Sequence, residues 1–199
     1  RSISWTHPGP ALPPELDRGG RTVARALGSA VMRYGFLGPE TTFTHQALLQ
    51  ALAEGPAGAT DAEVEIVPFA SVATATADLI AGDIDALMAP IENSVEGGVS
   101  GTLDVLAATD AITIVAEQIV QISFVLAAKE PTALEDLTVV SSHPHAQAQV
   151  QGWLRAHVPE ADVAAASSTA AAARDLAAMD ADEAYGRAAV CSDLAARHF

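Results

Sequence analysis

Apolar and polar positions alternate along this chain in two different rhythms, and the rhythms take turns. The short apolar run "RYGFL" (33–37) reads as a strand and is followed by "GPETTFTHQALLQALAE", in which Ala47, Leu48, Ala51 and Leu52 recur at helical spacing. "EVEIVPF" (63–69) is the next strand; "SVATATADLIAG" (71–82) is a helix with Val72, Thr76, Leu79 and Ile80 on one face and Gly82 as its stop. "DALMAPI" is a third strand, interrupted by polar residues before a helix begins near Ser100. The β-branched stretch 111–128 predicts two consecutive extended segments. "LTVVSS" (137–142), "ADVAAA" (161–166) and "RAAVCS" (187–192) then read as strands. They alternate with helices over 144–157, from Ser168, and from Asp193 to the end.

Strands alternating with helices predict an α/β fold in which helices cover mostly parallel sheets. Runs such as "ALMAPI" and "LTVVS" suit strands buried on both faces. The elements fall into two groups: a first α/β subdomain over 32–112 and a second over 123–199, joined by an extended hinge at 113–122. A cleft between two such lobes is the expected place for a small ligand.

Residues 1–31 break the pattern. They are rich in Pro, Gly and Arg, carry four arginines against Glu15 and Asp17, and precede Met32. They are expected to be a disordered leader or extension outside the fold.

Charge narrows the function classes. Of 199 residues, 25 are acidic and 10 basic, a net charge of −15. Nucleic-acid binding needs clustered Lys and Arg, so no nucleic-acid partner is expected. No apolar run approaches the ~20 residues of a membrane helix, so none is expected to span a membrane. One cysteine, Cys191, leaves no internal disulfide and fits a reducing, cytoplasmic compartment. Its apolar context predicts a small core residue.

Candidate chemistry sits at the strand-to-helix junctions, where ligands bind in open α/β sheets. Four junctions, "GPETTFT" (38–44), "ENSVEGGVSGT" (92–102), "SHPHAQAQ" (142–149) and "SSTAA" (167–171), offer hydroxyls, amides and backbone N–H groups but no Lys or Arg. Helix N-termini carry partial positive charge and unpaired donors, so they can hold a carboxylate unaided. Capping is the ordinary alternative for Thr42, Thr44, Ser168 and Thr169. Surface filling is the ordinary alternative for Gln149, which flanks an expected core face of Ala146, Val150, Trp153 and Leu154. His45 reads as a helix-surface residue. His143 and His145 lack a third metal ligand nearby. Gly97, Gly98 and Gly101 make a flexible turn, but no lysine of a phosphate-binding loop follows.

Taken together the motifs resemble the catalytic domain of the prephenate dehydratase family. "YGFLGPETTFTHQAL" is similar to its opening LGPxGTFS/T motif, with Thr41 where the family usually has Gly. "PIENSVEGGVSGTLDVL" resembles its most distinctive signature over nearly the whole length. "SHPHAQAQVQGWL", "SSTAAAA" and "AAVCSDLAA" resemble its SHPxxxxQ, STAxAA and AAIxSxxAA motifs.

The resemblance implies a type II periplasmic-binding-protein-like fold and a carbon–oxygen lyase of phenylalanine biosynthesis, converting prephenate to phenylpyruvate without cofactor or metal. Glu92, Asn93 and Gln149 match family residues implicated in the site. Carboxylate binding is assigned to Thr42, Thr44, Ser94, Ser168 and Thr169. The partner implied is a small dianionic substrate, prephenate or its amino counterpart arogenate, and family members are commonly homodimers. A family Thr-Arg-Phe motif and the phenylalanine-binding ACT domain have no counterpart in these residues. The second subdomain is therefore expected to be truncated at its C-terminal end, turnover by this chain slow or absent, and phenylalanine feedback lost. A non-catalytic binder of small carboxylates is the alternative of a different class.

Overall fold

The computed structural model describes residues 2–3, 31–55, 63–95 and 97–199. The chain divides into two units, Arg1–Gly38 with Ala47–Val120, and Pro39–Gln46 with Gln121–Phe199. The expected leader lies outside the described residues except for Val31 and the short strand β1 (Ser2–Ile3).

In the first unit β2 (Met32–Leu37) is flanked in parallel by β3 (Val64–Phe69) and β4 (Ala86–Pro90). β1 adds antiparallel to the far edge of β4, giving the order β1-β4-β2-β3. Tyr34, Phe36, Leu87 and Met88 are buried, so the central strands are apolar on both faces. Each large side chain withdrawn from water contributes about 1.5–3 kcal/mol. Gly35 leaves no room for a side chain without movement of its neighbours: a Cβ there would lie 2.5 Å from Ile84 Cδ1 and 2.8 Å from the Phe69 ring.

Helix α1 (Phe43–Glu54) connects β2 to β3, and α2 (Val72–Ala81) connects β3 to β4. α2 begins where Ser71 caps Thr74 N–H and ends on Gly82 at φ 79°, the stop its sequence announced. Its expected apolar face is rotated, however. Thr76 is buried and Val72 and Leu79 pack on the core, but Ile80 is 53% exposed.

After β4 the chain forms a small hairpin, β5 (Glu92–Asn93) against β6 (Gly97–Gly98), and then α3 (Ser100–Ala108). In the stretch 111–128, expected to form two consecutive extended segments, the ladder residues are one isolated bridge residue, Gln118, and one strand, β7 (Val125–Ala127). Ile114, Ile119 and Ile122 are exposed, whereas Val120 is buried and Val115 packs on the core of the first unit.

The second unit has the order β7-β10-β8-β9. β8 (Val139–Ser142), β9 (Asp162–Ala165) and β10 (Arg187–Cys191) run parallel, and β7 is antiparallel to β10. α4 (Pro144–His157) crosses from β8 to β9; α5 (Thr169–Ala178) and the single turn α6 (Ala181–Ala184) cross from β9 to β10; α7 (Asp193–His198) follows. Four consecutive buried alanines, Ala170–Ala173, let α5 lie close against β10. On α4, Ala146 and Leu154 are buried and Val150 packs with them, but Trp153 is 44% exposed and stacks on His157 at 4.4 Å. Trp153 is therefore a flank residue, not part of the core face.

Candidate functional site

The first unit contributes the Glu92–Ser94 junction. A polar junction with a flexible glycine turn was expected there, and the structure gives it a defined shape, a hairpin. Asn93 Oδ1 accepts the Val95 N–H at 2.8 Å, an Asx-type turn that starts the reversal. The reversal closes at Gly97, φ 84°, a conformation that costs glycine nothing. The base is fixed twice, by Val99 N–H to the Ile91 carbonyl at 2.8 Å and by buried Thr102 Oγ1 to the Pro90 carbonyl at 2.6 Å. Glu92 and Ser94 are exposed and Asn93 is half-buried. Asn93 spends its carbonyl oxygen on the turn, which orients its amide NH₂ as a donor.

The second unit contributes the remaining candidates. Because β8, β9 and β10 are parallel and in register at Ser141, Ala164 and Ala189, their C-terminal ends lie along one edge of the sheet. α4, α5 and α7 all start from that edge, capped by His143, Ser168 and Ser192. Their N-terminal N–H groups are thus gathered on one side.

The segment Pro39–Gln46 joins this edge. Ser192 Oγ, almost fully buried, donates to the Thr41 carbonyl at 3.0 Å while accepting Ala195 N–H at 3.1 Å. The Phe43 ring meets Phe124 edge-on at 5.6 Å. Thr41 itself stands at φ 65°, the left-handed region, which a β-branched residue enters only under constraint. A glycine would adopt this conformation freely.

His45 supplies part of that constraint. Its Nδ1 accepts Thr41 N–H at 2.9 Å, and its own N–H donates to Thr42 Oγ1 at 3.3 Å. Thr42 Oγ1 in turn donates to the Pro39 carbonyl at 2.9 Å. Burial lowers the His45 pKa; nearby Glu40 opposes this and His198 adds to it. His45 is half-buried and tied into the turn, and the helix-surface reading is corrected accordingly.

Among the candidates, Ser168 caps α5 through Ala171 N–H at 2.9 Å and Thr42 caps α1, so capping accounts for an acceptor contact of each. The Ser168 cap uses an oxygen lone pair and leaves its O–H a donor. Thr44 is buried in the first turn of α1, and Thr169 is half-buried in the first turn of α5. Gln149 is half-buried on α4. Its neighbour Gln147, which the sequence did not distinguish from surface filling, is structural. Its Nε2 donates to the carbonyls of Ser142 at 2.8 Å and Ala164 at 2.6 Å, pinning α4 across the ends of β8 and β9.

Cys191 is fully buried, and burial pushes its thiol up to about 11, as befits a core residue. Among the described residues, no cluster of three or more His, Cys, Asp or Glu could hold a metal ion, and no helix is long and apolar enough to cross a membrane.

Comparisons with known proteins bear on family and fold. The family model for prephenate dehydratase matches residues 34–199. A prephenate dehydratase of Mycolicibacterium vanbaalenii is 43% identical over 174 residues, covering 80% of this chain and 56% of that protein. The crystal structure of a prephenate dehydratase in complex with L-Phe, from Arthrobacter aurescens, superposes with a TM-score of 0.70 at 43% identity. That match covers 84% of this chain and 52% of that one. A quorum-quenching acylase, GqqA, matches at a TM-score of 0.65 and 25% identity, covering 83% of this chain and 55% of that one. The chain spans about half the length of the curated relatives it matches. Its two α/β units are of the periplasmic-binding-protein-like class to which prephenate dehydratases belong. By sequence, motif order and fold, the chain belongs to the prephenate dehydratase family.

Proposed function

We propose that this chain binds prephenate and promotes its decarboxylative dehydration to phenylpyruvate, the step that leads to phenylalanine. The observation that carries the proposal is the gathering of three capped helix starts and the Pro39–Gln46 segment along one edge of the second sheet. None of the sequence 38–44, 142–149 or 167–171 holds Lys or Arg, so the donors available to an anion there are neutral. Aligned N–H groups and hydroxyls suit a carboxylate without requiring a buried countercharge.

In the reaction the bond from ring to carboxylate carbon breaks and its electrons enter the ring. The ring C–O bond breaks on the opposite side, and the departing hydroxide takes a proton to leave as water. Carbon dioxide, water and an aromatic ring result, so the protein's task is geometry plus a proton or strong hydrogen bond at the leaving oxygen. Thr44, Ser168 and Thr169, with the N–H groups near Ser94, are assigned to carboxylate binding, and so is Thr42 once its hydroxyl turns from the Pro39 carbonyl to the substrate. Asn93, through the NH₂ that its turn orients, and Gln149 hydrogen-bond the ring hydroxyl or a carboxylate. Glu92, exposed beside Asn93, belongs at the hydroxyl end, since a carboxylate facing a dianion would be repelled. The proposed setting is the cytoplasm and the proposed assembly a homodimer, both resting on the family.

Titrating prephenate into the chain by calorimetry, beside a phenylpyruvate absorbance assay, tests the proposal. Binding should be seen and should weaken about tenfold or more in Gln149→Ala, a loss of about 1.4 kcal/mol. Phenylpyruvate should form above the spontaneous rate. Binding without turnover would leave a carboxylate-binding module, and absence of both would overturn the proposal altogether.

A further inference from the structure

We propose that His45 is a positioning residue: as an unprotonated acceptor it holds the Pro39–Thr44 turn in the shape that presents Thr42 and Thr44. The inference rests on the prephenate-binding reading above. Five facts converge on one residue. Thr41 is 2% exposed and sits at φ 65°, a strained conformation for a β-branched residue. Its N–H is taken by His45 Nδ1 at 2.9 Å, and its carbonyl by Ser192 Oγ at 3.0 Å. Its hydroxyl donates to the preceding carbonyl of Glu40 at 2.7 Å. The strained residue is thus clamped on both sides, and one clamp is an imidazole nitrogen.

An imidazole nitrogen accepts only without a proton. The bond therefore requires neutral His45 carrying its proton on Nε2. Protonation at Nδ1 would set two donors face to face across 2.9 Å, and the clamp would open. Among the described residues, the charged and titratable groups that act on the ring include Glu40 from its own turn and His198 from α7. Burial is the largest influence and keeps the ring neutral to lower pH than an ordinary histidine. The clamp is therefore closed at neutral pH and opens on acidification. The hydroxyl beside it belongs to the same turn: the backbone N–H of His45 donates to Thr42 Oγ1, which donates to the Pro39 carbonyl, so a turn that opens at Thr41 moves Thr42 with it.

Asparagine tests this directly. The Oδ1 of His45→Asn can accept Thr41 N–H where Nδ1 did, but it does not titrate; His45→Ala has no acceptor. For all three proteins, the Thr41 amide resonance and the dissociation constant for prephenate are followed from about pH 8 to about pH 5, the histidine range. Spontaneous conversion of prephenate is subtracted. In the unmodified chain the Thr41 amide should move with the His45 ring titration, and prephenate should bind about tenfold more weakly at the acid end. His45→Asn should bind with a pH-independent constant near the neutral wild-type value, and His45→Ala should bind weakly throughout. A Thr41 amide that ignores the His45 titration, or a His45→Asn variant with the wild-type acid limb, would overturn the proposal. If prephenate fails to bind at any pH, the functional reading falls, and the amide titration alone still decides whether the clamp exists.

Discussion

Ser192 and Thr41, 151 positions apart, are joined by a buried hydrogen bond: Ser192 Oγ donates to the Thr41 carbonyl at 3.0 Å. The same oxygen accepts Ala195 N–H and so caps α7. One hydroxyl thereby ties the first family motif to the last and satisfies two backbone groups. Removing it in Ser192→Ala should cost about 1–3 kcal/mol, the penalty for a lost cap plus a buried carbonyl left unpaired. Urea unfolding would measure it; a loss within about 0.5 kcal/mol, the range of ordinary surface substitutions, would show that the bond is not maintained in solution.

Thr41 invites a comparison of two substitutions. Thr41→Gly and Thr41→Ala both delete the hydroxyl and its bond to the Glu40 carbonyl, but only alanine keeps a Cβ at φ 65°. The left-handed region costs a non-glycine residue roughly 1–2 kcal/mol. Glycine returns about 0.5–1 kcal/mol of this through its looser unfolded chain. Thr41→Gly should therefore be the more stable of the two, by up to about 1 kcal/mol in paired urea titrations. The reverse order would mean that the turn relaxes out of the left-handed region.

Much of the fold was legible because its signals are local. Pro144 followed by a helical period marked the start of α4, and Gly82 marked the end of α2. The inner parallel strands β4 and β10 were recognisable as unbroken apolar runs because both their faces are buried, whereas the edge strands β3 and β9 are partly exposed. Beyond the misplaced face residues Ile80 and Trp153, the errors fall where a side chain serves the backbone and not the core. Asn93 and Gly97 were read as a polar junction with a flexible glycine, yet an Asn bonding two residues ahead and a glycine at positive φ are the marks of a reversal. His45, three residues after Thr42, occupies the place of the Glu in a capping box, and its ring reaches back one residue further, to Thr41. Spacing could have suggested that. It could not have separated Gln147 from Gln149, since only the ends of β8 and β9 show which amide has carbonyls to bind.

Those two glutamines should separate cleanly in experiment. Gln147→Ala removes two hydrogen bonds, leaving the Ser142 carbonyl with Ala166 N–H alone and the Ala164 carbonyl without the amide, a destabilisation of about 1–3 kcal/mol. Gln149→Ala removes no hydrogen bond among the described contacts and should stay within about 0.5 kcal/mol of the parent in unfolding. Its deficit should appear instead in prephenate affinity. Equal stability losses in both variants would place Gln149 in the scaffold and remove it from the proposed binding set.

Thr102 gives a third test of scaffold against site. Its Oγ1 holds the Pro90 carbonyl at 2.6 Å and is buried, so Thr102→Val keeps the shape and strips the bond. About 1–3 kcal/mol of stability should be lost. The amide resonances of Asn93, Val95 and Gly97 should shift with it, because α3 and the hairpin base share this contact. Unchanged hairpin resonances would show that the Val99–Ile91 bond alone anchors the loop.

Cys191 makes the alkaline side of the stability profile predictable. Burial raises its folded pKa to about 11, whereas an unfolded thiol titrates near 8.5. A raised folded pKa means that the unfolded chain loses its proton first. The associated stability is present below about pH 8.5 and lost as pH climbs toward 11. Tyr34, also raised by burial and by Asp85, contributes with the same sign. Unfolding free energies should thus fall over this window, and Cys191→Ala should flatten the thiol's share while leaving Tyr34's. The same burial predicts that iodoacetamide labels the folded protein at pH 8 only through unfolding, so labelling should accelerate in proportion to the unfolded population as urea rises. Rapid labelling without urea would contradict both the burial and the raised pKa.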